Sequence, residues 1–266
     1  MSDHAAGPGE RRPHLWSTGR YPSLAPNLLP AISSLVDAAG IDPGDAVCDV
    51  GCGTGNVALT ARQSGARVVG VDLSQEMLAL AADSASLVGD VDVDWVLGDA
   101  VVLPFRDDRF DAVLSSFGHV FAPDSAAAGR ELRRITAPGG RIAYTAWSPN
   151  GVVGELTDVL TDHVVEPPGD PWAHLRWGEP AFVREQFADV AALSVERRIV
   201  EFRYVSPEHF WLDFAEEAGP LSPVVGQVDD PDARASLREA ALEVLEEWFA
   251  DNAVRVEYLQ VRAVVE

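Results

Sequence analysis

Lysine is absent from this 266-residue chain: all 20 of its basic residues are arginine, set against 42 acidic ones, for a formal net charge of −22. A surface of that sign repels phosphate backbones and anionic lipid, which argues against nucleic acid or a membrane surface as partner. The deficit of lysine fits either of two backgrounds, a GC-rich genome that favours arginine codons or adaptation to high internal salt. At 1 M salt the Debye length is only about 3 Å, so the self-repulsion is tolerable there. Cysteine is almost as scarce. Cys48 and Cys52 stand alone, too far apart for a C-x-x-C pair, and none of the six histidines has metal-ligand spacing around them. Buried, reduced thiols are expected, and no metal. No apolar run reaches the length of about eighteen residues that spans a bilayer. Met1 to Pro13 is polar, with Gly7, Pro8 and Gly9, and has no apolar signal-peptide core, so a cytoplasmic protein with a frayed start is expected. Internal repeats and low-complexity tracts are missing too.

What is present is an alternation. Ala46 to Val50 reads as a short buried strand, followed by glycines and a helix from about Asn56 to Gln63. Arg67 to Val71 is a second strand, with a helix after the N-cap residue Ser74 that carries Met77, Leu78 and Ala81 on one face. Val91 to Leu97 and Phe110 to Ser115 are further strands. Asp124 to Ile135 is helical and stops before the turn signal Pro138-Gly139-Gly140, and Arg141 to Trp147 is a fifth strand. Strands alternating with helices at this spacing predict an α/β fold with a doubly wound, mostly parallel sheet.

From Glu166 to Pro180 the chain turns rich in Pro, Gly and Trp, the composition of a structured loop or lid. Ser194 to Val205 predicts a strand, Pro207 to Glu217 and Pro231 to Ala250 predict helices, and Val254 to Val264 a closing strand. Leu237, Ala241, Leu245 and Trp248 form the apolar stripe of the long helix. The division expected is an N-terminal helical cover over 1–40, a ligand-binding α/β core over 41–150, and over 151–266 an inserted or appended helical lid and acceptor region with the closing strands.

The informative segment is Asp49-Val50-Gly51-Cys52-Gly53-Thr54-Gly55-Asn56, a strand running into three glycines and then a helix. Such a loop at the carboxyl end of the first strand is where open α/β sheets bind ligands. The dinucleotide fingerprint G-x-G-x-x-G would need glycine where this chain has Asn56. Asp49, two residues before the first glycine, is awkward beside a pyrophosphate and suits the ammonium of an amino-acid ligand. Asp72, twenty-one residues after Gly51, is placed to accept two ribose hydroxyls. Asp99, after the third strand, is placed to accept from the exocyclic amine of adenine. Each acid alone fits a helix cap or a solvated turn; three at the ends of three consecutive strands point to one ligand.

Asp49 to Gly55, Val71-Asp72-Leu73-Ser74, Gly98-Asp99-Ala100, Phe110-Asp111-Ala112-Val113 and Glu131-Leu132-Arg133-Arg134-Ile135 through Pro138-Gly139-Gly140 resemble the successive motifs of class I S-adenosylmethionine (SAM)-dependent methyltransferases. The resemblance covers roughly residues 40 to 147. It implies a Rossmann-like, seven-stranded sheet with the last strand antiparallel, SAM as cofactor, and contacts from Asp49, Gly51, Cys52, Gly53, Gly55, Asp72, Leu73, Met77, Asp99, Ala100, Ser115 and Phe117. Phe117 to Asp124, Leu175 to Gly178, Phe202 to Phe210 and Glu257-Tyr258-Leu259 resemble a largely uncharacterised prokaryotic subgroup filed near the ubiquinone/menaquinone methyltransferases. The Arg-Asn-Val run of the quinone enzymes is replaced here by Gly118-His119-Val120. Trp16 and Tyr21 resemble the aromatic residues that fold over SAM in this subgroup, with plain packing of the N-terminal segment onto the core as the alternative.

The activity so implied is methyl transfer to a small-molecule acceptor at O, N or C, with a non-catalytic SAM-binding protein or a nicotinamide oxidoreductase as alternatives. His119, after the fourth strand, is the candidate general base; His174 and His209 are weaker candidates. Trp147, Trp172, Trp177, Phe210 and Trp211 are candidate walls of an acceptor pocket, with plain core packing as the competing role. A homodimer is left open alongside a monomer.

Overall fold

The computed structural model describes residues 24–89, 91–164, 170–217 and 222–266. Trp16, Tyr21 and the start of the expected lid at Glu166 therefore lie outside the described residues. The strands are β1 (Ala46–Val50), β2 (Arg67–Asp72), β3 (Val93–Leu97), β4 (Phe110–Ser116), β5 (Thr136–Trp147), β6 (Val190–Arg203), β7 (Phe249–Ala250) and β8 (Ala253–Val265). They form one sheet in the order β3-β2-β1-β4-β5-β8-β6, with the two-residue β7 beside β8. β1 to β5 are mutually parallel, and β8 runs antiparallel between β5 and β6. The doubly wound α/β expectation holds, and both halves of the chain contribute to the same sheet.

The order reverses at β1 and β4, so the carboxyl ends of β1, β2, β3 and β4 open side by side on one edge of the sheet. The helices are α1 (Leu29–Ala39), α2 (Asn56–Gln63), α3 (Gln75–Leu87), α4 (Ser125–Ile135), α5 (Val152–His163), α6 (Pro180–Gln186), α7 (Pro207–Trp211), α8 (Ser222–Val225) and α9 (Pro231–Trp248). On one face, α1, α2, α5, α7 and α9 share a core with Val47, Ala112, Leu114, Ala143 and Val256. On the other, α4 and α6 pack against Cys48, Val50, Val113, Tyr144 and Val261. Successive β1 residues feed opposite cores because strand side chains alternate.

The boundaries of the first half follow local chemistry. Ser74 caps α3 by accepting from the Met77 N–H, and Asp124 caps α4 by accepting from the Ala127 N–H. The Pro138-Gly139-Gly140 turn lies inside β5: pairing jumps from Phe110↔Thr136 to Ala112↔Arg141, and Gly139 takes a φ of 76° at this bulge.

The second half departs more. α5 and α6 were not foreseen, although Val152, Leu156 and Leu160 keep helical spacing and Pro180 sits at a first-turn position. β6 begins at Val190, earlier than expected, and α7 gives way after Trp211 to a π-helical turn over Leu212–Glu217. α9 ends at Trp248 because Asp251 and Asn252, at φ 53° and 58°, make the left-handed two-residue turn of a β7–β8 hairpin.

Candidate functional site

Asp49 is wholly buried at the end of β1 and lines a cleft at the carboxyl edge of the sheet. Its Oδ2 accepts from the Ala58 N–H of α2 at 3.0 Å, while its Oδ1 is buried without a partner. Burial pushes its carboxyl up to about 8, with the nearby Asp72 adding to the rise and the Ala58 N–H opposing it. A buried carboxylate of this kind is costly when alone and stable beside a cation. That matches the ammonium end of SAM.

The glycines after it are constrained individually. Gly51, at φ 68°, presses against Gly118: a Cβ on Gly51 would lie 2.7 Å from the Gly118 Cα, and one on Gly118 would lie 2.5 Å from the Gly51 carbonyl oxygen. Gly53 donates its N–H to Asp72 Oδ2 at 2.8 Å, tying the loop to the end of β2. Gly55 has a packing role as well. A Cβ there would meet the Trp95 indole at 2.7 Å, and one on Gly70 would meet it at 2.5 Å. The two glycines make a slot for Trp95. Cys52 is buried in the loop, its thiol free and pushed well up by burial, as is that of Cys48.

Asp72 accepts from Gly53 through Oδ2 and from the Ser74 N–H through Oδ1, at 2.8 Å each. Each oxygen keeps a lone pair, so the carboxylate can also accept the two hydroxyls of a ribose. Leu73 and Met77 follow, half-buried and buried. Asp99 accepts from the Val101 N–H at 3.1 Å and closes a tight turn with Val102, leaving Ala100 half-buried at its tip. Glu131 and Arg134 of α4 hold the chain that follows. Glu131 accepts from the Leu103 N–H at 2.6 Å, and Arg134 donates to the carbonyls of Phe105 and Leu103 at 2.7 and 3.1 Å. The bond from Arg134 holds the Glu131 carboxyl below the usual range.

His119 is the main departure. It has no exposed surface, and its ring stands edge-on to Tyr144 and Trp177, each 4.7 Å away, on the sheet face opposite Asp49. The structure does not bring it to the cleft, and this placement does not support a general base. It belongs instead to a chain of hydrogen bonds under the glycine loop. The Ser115 hydroxyl donates to the Val50 carbonyl at 2.6 Å, so it can only accept from the His119 N–H at 3.1 Å and from Nδ1 at 2.9 Å. Nδ1 therefore carries the proton. Burial pushes the imidazole down to about 3, keeping it neutral. The cleft is lined by Asp49, Cys52, Thr54, Asn56 and Ser116 together with the aliphatic Ala25, Leu28, Ile32 and Val57, about 350 Å³ in all including its opening to solvent. Ala25, Leu28 and Ile32 escaped the sequence reading; the spacing of apolar positions at 28, 32, 35 and 36 was their signal.

The aromatics of the second half are core. Trp177, Phe210 and Trp211 are almost fully buried, and Trp147 stacks on Phe117 with centroids 3.8 Å apart. Phe117 holds this pose at a φ of 55°. Trp172 is half-buried, and His174 stacks on Phe121 at 5.6 Å, its imidazole pushed down to about 4 by burial. His209 stands edge-on to Tyr204, whose hydroxyl donates to Asp213.

Residues 48–144 match the family model described as a methyltransferase domain. An uncharacterized protein of Mycobacterium tuberculosis is 31% identical over 253 residues, 94% of this chain and 92% of that one. The 2-phytyl-1,4-naphtoquinone methyltransferase of Synechococcus elongatus is 43% identical over 133 residues, 47% of this chain and 56% of that one. Among solved structures, the YcgJ protein of Bacillus subtilis superposes with a TM-score of 0.63 at 19% identity, over 89% of this chain and 98% of that one. A Haemonchus contortus phosphoethanolamine N-methyltransferase, crystallised with S-adenosylhomocysteine, superposes with a TM-score of 0.55 at 19% identity, over 89% and 52%. At such identity the structural likenesses speak to the fold alone. The matched domain, with the glycine loop and the three strand-end acids, defines a Rossmann-like methyltransferase. The chain belongs to one family with the Mycobacterium tuberculosis protein, and the methyltransferase domain it carries makes it a SAM-dependent methyltransferase.

Proposed function

We propose that this enzyme methylates a small organic acceptor at O, N or C by in-line displacement, the acceptor reaching the cleft along the apolar wall of Ala25, Leu28 and Ile32. SAM supplies an electrophilic methyl on a sulfonium. Asp49 meets the ammonium of its amino-acid end, Asp72 its ribose and Asp99 its adenine amine. The observation that carries the reading is the make-up of the cleft: a buried, half-partnered carboxylate shares it with the aliphatic side chains of Leu28, Ile32 and Val57.

None of the described side chains lining the cleft is a histidine. Displacement at a sulfonium needs alignment first, and positioning alone supplies about 7–11 kcal/mol of a barrier. The reading therefore favours an acceptor atom that is already nucleophilic near neutrality, such as an aromatic or heterocyclic nitrogen, a carboxylate or an acidic phenol. His119 acts at a distance, as the residue that positions Val50 and Gly51 through Ser115. The net charge of −22 disfavours a polyanionic acceptor.

The test is S-adenosylhomocysteine formation by the purified protein with panels of amines, carboxylic acids, phenols and hydroquinones, and with tRNA and protein as contrasting acceptors. Turnover with a small molecule is expected. Turnover confined to RNA or protein overturns the proposal, as does SAM binding with no product from any class.

A further inference from the structure

Outside the cleft, the feature that asks for an occupant is β6. It is a fourteen-residue strand at the margin of the sheet; among the described residues its only strand partner is β8, and Asn27 meets its C-terminal end. An unpaired edge of this length is a template for another strand, and proteins usually blunt it with proline, lysine or bulges. β6 contains no proline or lysine, and its pairing with β8 runs without a shift from Ala192 to Arg203.

The backbone shows which groups face outward. The Tyr204 N–H donates across to Asn252 at 3.0 Å, whereas the Arg203 N–H turns away from β8 to Asn27 at 3.4 Å. By the alternation of an antiparallel ladder, the N–H and C=O groups of Arg203, Glu201, Ile199 and Arg197 face outward; the Arg203 N–H is taken by Asn27, which leaves Glu201, Ile199 and Arg197 for a partner. Ile199, in the middle of this set, is 63% exposed.

We propose that this edge pairs with the same edge of a second copy, antiparallel about a two-fold axis through Ile199, making one sheet continuous across a homodimer. A two-fold perpendicular to a sheet keeps like faces together, so only same-face residues meet. Centred on Ile199, that rule sets Arg197 of each copy opposite Glu201 of the other, twice. Shifting the axis one position sets two like residues, Arg198 or Val200, on the axis; with Val200 there, Arg197 opposes Arg203. The Ile199 register alone among these buries an exposed apolar side chain against itself and joins opposite charges on both flanks. β6 carries three arginines against two glutamates in a chain of net charge −22, so it is a surface where two copies approach with little repulsion. Glu201 already gathers Arg203 and Arg255, which orders it for a third arginine.

The full chain in sedimentation velocity is expected at twice the chain mass. Arg197→Glu and Glu201→Arg, each alone, set like charges opposite one another and are expected at the single-chain mass, with SAM affinity unchanged as the check on folding. Mixed together, the two variants restore both ion pairs and the doubled mass returns. Ile199→Lys, which leaves the glutamates in place, is expected to be monomeric as well. A single-chain mass for the wild type overturns the proposal, as does a doubled mass that survives in both Arg197→Glu and Ile199→Lys. Amide exchange at Ile199 and Glu201 separates the other occupant, residues 1–23 of the same chain. Protection that grows with protein concentration supports the dimer, and protection independent of concentration overturns it.

Discussion

The two halves of the sheet use their special residues in opposite ways. From β1 to β5, glycines and carboxylates gather at strand ends, where backbone approaches backbone and buried charge awaits a counter-ion. From α5 to β8, the special residues are aromatics, and they fill the core: Phe202, Phe210 and Phe214 meet ring to ring, with centroids 5.0 to 6.2 Å apart. A residue held by close backbone approach is specified by a ligand or a turn. A large ring is specified by the volume it fills. Replacing residues in the first half should change affinity more than stability, and in the second half the reverse.

The largest effect is expected from Phe210→Ala, which empties a buried site among three rings. Such truncations cost about 3–5 kcal/mol. Chemical denaturation measures the loss, and SAM affinity of the folded fraction should change little. A stable variant that no longer binds SAM would return Phe210 to the ligand site and break the contrast.

Gly51→Ala should act the other way. The new Cβ meets the Gly118 backbone and the position keeps a positive φ, a strain on the order of 1–3 kcal/mol concentrated in the loop. Calorimetric titration should show SAM affinity falling about tenfold to a hundredfold. Asp72→Ala removes hydrogen bonds to a charged group, worth about 1.5–3 kcal/mol, and should cost at least about tenfold. Unchanged affinity in the folded Asp72 variant would reduce it to a turn residue.

The smaller effects are proton-linked. With its folded value near 8, Asp49 holds a proton in the free protein that the unfolded chain releases near 4, so this group makes the apo fold less stable as pH rises through that window. A bound ammonium favours the carboxylate, so SAM binding should expel the proton. Affinity should then rise with pH by up to about tenfold per unit, levelling near 8. Titration in buffers of different ionisation enthalpy measures the released proton, and Asp49→Asn should abolish it. His119 has the opposite sign. Its folded value near 3 lies below the unfolded one near 6.5, so stability is lost as pH falls through that range, by up to about 1.4 kcal/mol per unit. Acid unfolding of His119→Asn should lack this branch; a slope that persists would assign it to other groups.

The expectations failed where side-chain identity was read without its partner. His119 follows β4, as a base beside the cleft would, yet strand alternation through Ser115 and Ser116 sends Ser116 to the cleft and Ser115, with His119, to the opposite face. Gly55 also has a partner outside its loop, since its missing Cβ accommodates Trp95 from β3. Neither fact is visible within a window of neighbouring residues. The expected lid aromatics erred in the same way: Trp177 and Trp211 are conspicuous in sequence because they are large, and that is also why they are core.

What the sequence determined by itself is whatever depends on short-range backbone rules. The strand–glycine–helix passage from Asp49 to Asn56, the caps at Ser74 and Asp124, and the acids at Asp72 and Asp99 fall where local conformation and a parallel sheet require, and they suffice to name the donor. Only the tertiary structure decided which face each residue serves and what it meets there. It paired Gly51 with Gly118, buried Asp49 with one oxygen unpartnered, brought Leu28 and Ile32 to the cleft, and set β6 at the margin of the sheet with β8 as its only strand partner among the described residues. Those outcomes depend on contacts between segments distant in the chain, whose energies come from packing and burial and leave no periodic trace in the sequence.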